Sequence, residues 1–573
     1  MIKEKLARII KESLKEAASA GELPLDDFFS SVVIEKPKEK NHGDLCISLA
    51  FSLAAKAKKT PQEIAGVIYK YLKPEADFID KVEIAGGGFL NFFISKAYLC
   101  KSLIEIIKDG SKFGRSNVGR GKKVQVEFAS VGPTGPVHIG HSRGAVIGDV
   151  LANILEEVGY NTTREYYIND VGTQIEILGK SLAARYKEIL NKRPEILEGG
   201  YEGQYISDLA VKLKEKYGEN CLSKDVGFFS SFAVHEILGG IKKDLEDFGV
   251  KFDKWTRESE LYRRGEVKST IELLKKSGFT FLQDGALWFT VSKDENENSM
   301  ADKDNVLIRS TGIPTYFASD IAYHRDKYKR KFHCIIDIWG QDHHGHVSRV
   351  KNALKTIGCD VGKLEVILYQ LVSLSRRGEP VKMSTRKGEF ITLREVMDEV
   401  GRDSIRFFFL MRKSSSHLNF DLELAKTQSL ENPVYYVQYA HARISSIFRE
   451  AKKKGIKYQV SHLRQDFGGQ VGGQASIKYQ DLEVLNDEVE IDIIKKLAFF
   501  PDEIIETALT REPQGLTVYL RELAALFHKF YTDHRVISDN LSLTMARLIL
   551  VNSVQIVLAK GLKIMGIDSK ERM

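Results

Sequence analysis

The sequence predicts a multidomain α/β protein with a parallel-sheet core, and three observations lead to it. The chain has 573 residues, more than a single domain of about 100–200 residues accounts for. Through its middle, short apolar stretches alternate with periodic helical ones, the pattern left by strands joined through crossover helices. After residue 427 the periodicity is helical almost throughout. Together these divide the chain into an α+β unit at 1–112, an α/β domain at 113–426 with a helical insertion at about 190–275, and an all-α unit at 427–573.

The elements follow in order. MIKEKLARIIKESLKEAA is an amphipathic helix with charges of both signs and lacks the apolar run of a secretory leader. In KVEIAGGGFLNFFI, alternation on either side of a glycine turn predicts two strands. GRSNVGRGKK, residues 114–123, is basic and glycine-rich and reads as a linker; Gly119 is followed by Arg120 and Gly121, without the Lys-Ser/Thr of a P-loop. VQVEFAS is a short apolar strand, and RGAVIGDVLANILEEVGY a strongly periodic helix. TREYYIND, ALWFTV, VLIRS, CIIDIWG and LEVILYQLVSL supply further strands for the parallel sheet. LTMARLILVNSVQIVLAKGL is interrupted by Arg547, Asn552, Gln555 and Lys560, so it reads as a buried helix rather than a membrane span. HLRQDFGGQVGGQAS breaks the last helical region as a loop.

Composition narrows the class. With 43% hydrophobic and 28% charged residues, the chain is an ordinary soluble globular protein. A net charge of +7 permits a polyanionic partner without demanding one. Cys46, Cys100, Cys221, Cys334 and Cys359 are dispersed and form no C-x-x-C, which predicts reduced thiols in a cytoplasmic protein and argues against a zinc ribbon or disulfide frame.

Chemistry concentrates in two segments. PTGPVHIGHSRG, residues 133–144, places His138 and His141 three apart after a Pro/Gly turn. Such a pair could share a metal ion or be polar residues of the turn. It could also bind phosphate, because a strand, a glycine turn and a helix N-terminus aim free N–H groups and a dipole at an anion. Gly140 would then let backbone or a base approach closely. VKMSTRKGEFITL, residues 381–393, crowds Lys382, Arg386 and Lys387 with Ser384 and Gly388. It is either a solvated basic loop or a cationic lid over a triphosphate.

HIGH (138–141) with KMSTR (382–386) resembles the signature pair of class I aminoacyl-tRNA synthetases. VEFASVGPTGPVHIGHSRGAVIGD, TREYYINDVGTQIE, GIPTYFASDIAYH, DIWGQDHHGHVSRVKNAL, ENPVYYVQYAHARI, REPQGLTVYLRELAALFHKFY and the terminal GIDSKERM resemble arginyl-tRNA synthetases in particular. The resemblance spans nearly the whole chain. It implies a Rossmann-type catalytic domain, an N-terminal domain that touches tRNA, and a helical anticodon-binding domain in a monomer. It implies that L-arginine is activated with ATP and Mg2+, without protein-bound zinc, and then passed to the 3′-terminal adenosine of tRNA(Arg). Around ATP it places His138, Gly140, His141, Gly340, Asp342, His343, Lys382 and Met383. Charge stabilisation falls to His138, His141, Lys382, Ser384 and Arg386. Around arginine it places Glu127, Ser130, Gly132, Tyr316, Asp320 and His344, and on tRNA Tyr435, Tyr439, Tyr531 and Arg535.

Physical chemistry stands beside these expectations. A guanidinium is planar, permanently charged and suited to a bidentate carboxylate. Tyr316 and Asp320 are four apart and share a helix face, with Pro314 where a helix would start. The bland alternatives are an exposed Asp320 on a surface helix, Glu127 as a solvated strand-end charge, and the C-terminal tyrosines as helix packing. In QDHHGH, Asp342, His343, His344 and His346 are too densely spaced to converge on one ion from a regular element. Three positions depart from the resemblance: Gly132, where Asn is frequent; Thr385, where a second lysine is usual and Arg386 or Lys387 must supply the cation; and His346, where an aromatic is common.

Overall fold

The computed structural model describes residues 1–24, 32–193, 199–291, 305–381, 391–456 and 479–573. In the N-terminal unit, helix α1 (Ile2–Ser19) buries Leu6, Ile10 and Leu14 along one face. It has no capping side chain of its own. Asp502, from the far end of the chain, accepts the N–H groups of Ile2 and Lys3 at 3.1 and 3.2 Å, satisfying donors a helix start leaves orphaned. Strand β1 (Leu45–Ile47), helices α2 (Leu49–Ala57) and α3 (Pro61–Tyr71), strands β2 (Ile79–Ala85) and β3 (Phe89–Ile94), and α4 (Lys96–Asp109) complete the unit. The predicted hairpin is β2–β3, inside an antiparallel sheet of order β1-β3-β2.

Residues 114–123 do not form a free linker. Ser116, Gly119 and Gly121 donate backbone N–H groups to Glu157, Val158 and Gly159. A Cβ on Gly119 would lie 2.5 Å from the backbone of Tyr160, so glycine serves close backbone packing here.

The core is a five-stranded parallel sheet. The chain through this domain runs β4 (Lys123–Glu127), α5 (Ile139–Glu157), β5 (Asn161–Ile168), α6 (Thr173–Ile189), α7 (Gln204–Tyr217), α8 (Val226–Asp247), β6 (Lys254–Arg257), α9 (Glu258–Arg263), α10 (Glu266–Lys276), β7 (Thr280–Gln283), β8 (Ala286–Phe289), β9 (Val306–Ile308), α11 (Tyr316–Lys329), β10 (Cys334–Gly340), α12 (His344–Thr356) and β11 (Leu364–Tyr369). The strand order is β11-β10-β4-β5-β6. From β4 the chain winds outward through β5 and β6, then returns to the other side of β4 with β10. The carboxyl ends of β4 and β10 therefore flank the crevice where open α/β sheets bind ligands.

Three expectations need correction. The stretch 190–275 is not wholly an insertion, because β6 is the sheet's fifth strand, in register with β5 from Glu165–Lys254 to Ile168–Arg257. ALWFTV and VLIRS do not join the parallel sheet; β8 and β9 form a separate antiparallel sheet with β7. LEVILYQLVSL is two strands, since the chain leaves the core after Tyr369. Its second half, β12 (Val372–Arg376), pairs with β13 (Glu379–Pro380) and β14 (Leu418–Asp421).

Helices α13 (Leu393–Val400), α14 (Arg402–Phe409) and α15 (Leu422–Lys426) lead into the helical unit of α16 (Pro433–Lys453), α17 (Glu488–Ala498), α18 (Phe500–Thr510), α19 (Gln514–Asp533) and α20 (Leu541–Ile564). The loop expected at HLRQDFGGQVGGQAS lies outside the described residues. Helix α20 is long and apolar enough to cross a membrane, yet most of that stretch is buried in protein. Its Lys560, itself buried, pairs with Glu157 at 2.6 Å, as expected of a core helix. Arg406 locks this unit to the core. Its buried guanidinium donates to the carbonyls of Met565 (2.7 Å) and Phe248 (3.1 Å) and pairs with Asp149 of α5.

Candidate active site

Helix α5 starts at the crevice. His138 is its N-cap, and its Nδ1 accepts the backbone N–H of Gly140 at 2.8 Å. Ser, Thr, Asp or Asn usually fill this role; an imidazole in it must carry its proton on Nε2. Burial, reinforced by His141, lowers His138 to about 4, and burial also lowers His141. Both rings are neutral near pH 7, 5.8 Å apart between centroids. That spacing and neutrality suit hydrogen-bond donors to an anion at a helix N-terminus.

A stripe of glycines lets α5 lie this deep. A Cβ on Gly140 would meet the His138 ring at 2.9 Å, one on Gly144 the Tyr369 ring at 2.6 Å, and one on Gly148 the Phe128 side chain at 2.1 Å. The room at Gly140 is thus taken by His138 itself, where the sequence suggested room for a base. One turn on, the buried Arg143 donates to the carbonyls of Phe409, Gln370, Ser416, Arg412 and Lys413, fixing α5 to the segment after α14.

Lys382, Met383, Ser384, Thr385, Arg386 and Lys387 lie outside the described residues. The described chain on both sides is anchored near α5. Val381 donates its N–H to Leu374. Beyond the segment, Ile391 accepts from Ile139 (3.1 Å), and Leu393 donates to Val137 (2.8 Å). The described chain thus leaves from β12 at Val381 and resumes at Ile391 beside the histidine turn. Across the crevice, Gly340 closes β10, and the Asp342 carboxylate folds back over it; a Cβ on Gly340 would lie 2.3 Å from that carboxylate. Asp342 and His343 both act electrostatically on His141, so the six described residues expected around ATP gather at one place.

The arginine residues divide into two groups. Glu127 is not a solvated charge: it is 4% exposed. It stands in register with Asp337 of β10 and Glu165 of β5, so three carboxylates form a row across one sheet face. Helix α11 answers with Lys327, a histidine and Arg330 at its end. Lys327 bridges Glu127 and Asp337, both at 2.6 Å, His324 meets Asp337 at 2.8 Å, and Arg330, just past the helix, pairs with Glu165. Ligand atoms of Glu127, His324 and Asp337 converge closely enough for a metal ion, but the Lys327 ammonium already sits between the two carboxylates. Lys327 holds Asp337 down at about 2 against the burial that raises it, while burial raises Glu127. Ser130 donates to Glu127 at 2.6 Å and accepts the Tyr167 N–H at 3.0 Å. The intervening Ala129 has φ +56°, a left-handed conformation costly for a residue with a Cβ. At Gly132 an added Cβ would meet nothing within 4 Å.

The second group surrounds Asp320, one turn into α11. Pro314 lies two residues ahead of the helix, whose N-cap is Thr315. Asp320 is partly buried and accepts from His346 Nε2 at 2.8 Å. Tyr316 is half exposed on the same face, 5.5 Å from the His346 ring. His344 is exposed at the start of α12 and makes no contact that ties it to this group. Glu258 escaped the sequence reading. It is buried, accepts from Asn169 at 3.1 Å, and is raised to about 7 by burial with Asp320 adding to the effect. Two neighbouring carboxylates that repel one another, one buried and one partly exposed, suit a cation.

In the helical unit, Tyr435 and Tyr439 stack at 5.9 Å, and Tyr439 stacks on His528. Arg443, also unforeseen, lies 5.2 Å from the Tyr439 ring and 4.7 Å from that of Tyr531. Arg535 is exposed beyond the end of α19, outside this stack.

Comparisons with known proteins agree along the whole chain. Residues 4–94 match the arginyl tRNA synthetase N terminal domain, 102–444 the catalytic domain of class I tRNA synthetases (R), and 437–573 the DALR anticodon binding domain. The chain is 45% identical to the arginine–tRNA ligase of Citrifermentans bemidjiense over 577 residues, covering all of both. It is 46% identical to that of Carboxydothermus hydrogenoformans over 569 residues, covering 98% of each. Its fold matches Thermus thermophilus arginyl-tRNA synthetase with a TM-score of 0.74 at 23% identity, covering all of both chains. With three successive domain matches and relatives at this identity over its full length, the chain belongs to the arginyl-tRNA synthetase family.

Proposed function

We propose that this protein is an arginine–tRNA ligase that joins L-arginine to ATP as arginyl-adenylate, releasing pyrophosphate, and then passes arginine to the 3′-terminal adenosine of tRNA(Arg). One observation carries the reading: the Asp320–Glu258 carboxylate pair and a neutral, donor-lined helix mouth belong to the same end of one sheet. The first suits a planar cation and the second a triphosphate. In the first step a carboxylate oxygen of arginine attacks the α-phosphorus, and pyrophosphate leaves. The protein's work is alignment and charge stabilisation. Asp320, Tyr316 and Glu258 hold the guanidinium; Glu127, Ser130 and the backbone at Gly132 lie toward the α-amino end, with His344 at the rim. His138 and His141 donate to phosphate oxygens, Gly340, Asp342 and His343 border the nucleotide, and Lys382, Met383, Ser384 and Arg386 close over the leaving pyrophosphate. Magnesium arrives on ATP, since Mg2+ keeps its waters and prefers substrate phosphates to a protein cage. In the second step the terminal ribose 2′-hydroxyl attacks the arginyl carbonyl, and AMP departs.

Tyr435, Tyr439, Tyr531 and Arg535 are the proposed tRNA contacts, because stacked rings beside a guanidinium suit unstacked bases. The free thiols of all five cysteines support a reducing, cytoplasmic location, and a monomer with no membrane attachment is the accompanying expectation. Charging of total tRNA with each amino acid in turn, with ATP and Mg2+, tests the reading. Arginine alone is expected to be incorporated; incorporation of another amino acid, or of none, overturns it.

A further inference from the structure

His346 is the residue for which sequence reasoning found no consequence. It is 4% exposed. Tyr316 (5.5 Å), Trp339 (5.7 Å), Phe317 (5.8 Å) and His343 (6.3 Å) surround its ring, and among the described residues its one polar contact is the 2.8 Å bond from Nε2 to Asp320 Oδ2. The other ring nitrogen, Nδ1, is buried without a hydrogen-bond partner among the described residues. A neutral ring with its proton on Nε2 satisfies this arrangement.

We infer that His346 is a positioning residue for arginine selection: as a hydrogen-bond donor it fixes one oxygen of Asp320 so that the other faces the guanidinium. The inference rests on the proposed ligase activity and on the role of Asp320 in it. The geometry explains why a histidine here is more than packing. Asp320 is held on both sides, by His346 at its side chain and by His324 Nδ1 at its backbone carbonyl (2.7 Å). The His346 bond orients the carboxylate before substrate arrives, which reduces what binding must organise.

The test compares the intact enzyme with His346→Gln, whose amide N–H can replace the Nε2 donor, and with His346→Phe and His346→Leu, which lose it. Arginine KM, ATP KM and kcat for tRNA charging are measured for each. Expected are an arginine KM within about threefold of wild type for His346→Gln and about tenfold higher for the two variants without a donor, the cost of one hydrogen bond to a charged group, with kcat and ATP KM little changed. An unchanged arginine KM in a variant without the donor, or equal rises for His346→Gln and the variants without it, overturns the inference, and His346→Leu keeps the test decisive if His346→Phe fails to fold. Absence of arginine charging by the wild type would instead overturn the functional reading itself.

Discussion

The proposed guanidinium site and the proposed triphosphate mouth lie at one sheet end yet treat charge in opposite ways. Around α11 the protein keeps its ions: the three sheet carboxylates meet Lys327 and Arg330, with His324 bonded to Asp337, and Asp320 lies beside Glu258, whose carboxyl gains charge as pH rises through about 7. At α5 the two imidazoles are held neutral by burial, and the anion meets dipoles and N–H donors instead. The expected cations of KMSTR come from a separate segment. A cationic amino acid can be selected by fixed charge, because it arrives and is transferred carrying that charge. A triphosphate must be held and its pyrophosphate then released, which fixed buried cations would oppose. Removing the fixed charge should therefore be the most damaging change. Asp320→Ala is expected to lower kcat/KM for arginine by about a thousandfold, since truncating one member of a desolvated charge pair costs about 2–5 kcal/mol. tRNA binding, measured by direct titration, should be unchanged. Near-normal arginine charging would remove the basis of the comparison.

At the other pole, His138→Asn separates two duties of one side chain. Asn Oδ1 can accept the Gly140 N–H as a cap, but it cannot supply the Nε2 donor. Thermal stability should stay within about 1 kcal/mol of wild type, while kcat falls about a hundredfold with arginine KM unchanged, the cost of one donor to developing charge. A parallel loss of stability and kcat would mean that the histidine is only a cap.

Legibility in the sequence follows the same division. The histidine turn, the strands on either side of it and the Tyr316–Asp320 helix face were readable because each is local: a period, a turn or a four-residue spacing. The acid row was not. Glu127, Glu165 and Asp337 are 38 and 172 residues apart in steps along the chain and meet only through parallel register; each alone looks like a solvated charge on a strand. Glu258 was lost for a related reason, since β6 is four residues long and sits in a helical stretch, which hid the strand that carries the chain to it. ALWFTV was misplaced because alternation identifies a strand but says nothing about which sheet it joins. The glycine stripe at 140, 144 and 148 was visible as spacing, but its meaning depends on Tyr369 and Phe128, which the fold brings in.

Glu258 offers a graded test of the pocket. Raised to about 7 in the empty protein, it is protonated below that pH and ionised above it. A bound guanidinium favours the ionised form, so arginine affinity should strengthen as pH rises through 7 and weaken as it falls. Glu258→Gln removes that charge but keeps a hydrogen-bonding side chain. Arginine KM is expected to rise about tenfold above pH 7, where the wild-type charge is present, and to converge toward wild type on the acid side. Steady-state kinetics across that range would distinguish this from a uniform loss, which would indicate damaged packing around Asn169 and Ser319 rather than a missing charge.

The smallest effect is expected at Gly132, and it tests whether the amino-acid end is limited by contacts or by rigidity. A side chain here meets open space, and the glycine is not in the left-handed region, so neither clash nor backbone strain requires glycine. Gly132→Asn should therefore fold normally and gain slightly from a less flexible unfolded chain, by up to about 1 kcal/mol. If the added amide reaches the substrate, one neutral hydrogen bond of about 0.5–1.5 kcal/mol would lower arginine KM by about two- to tenfold. The guanidinium end, with its fixed charges, would be untouched, so arginine should remain the only amino acid charged. A gain in stability without any change in KM would place the amino-acid end under the control of Glu127 and Ser130, whose buried network already sets its geometry.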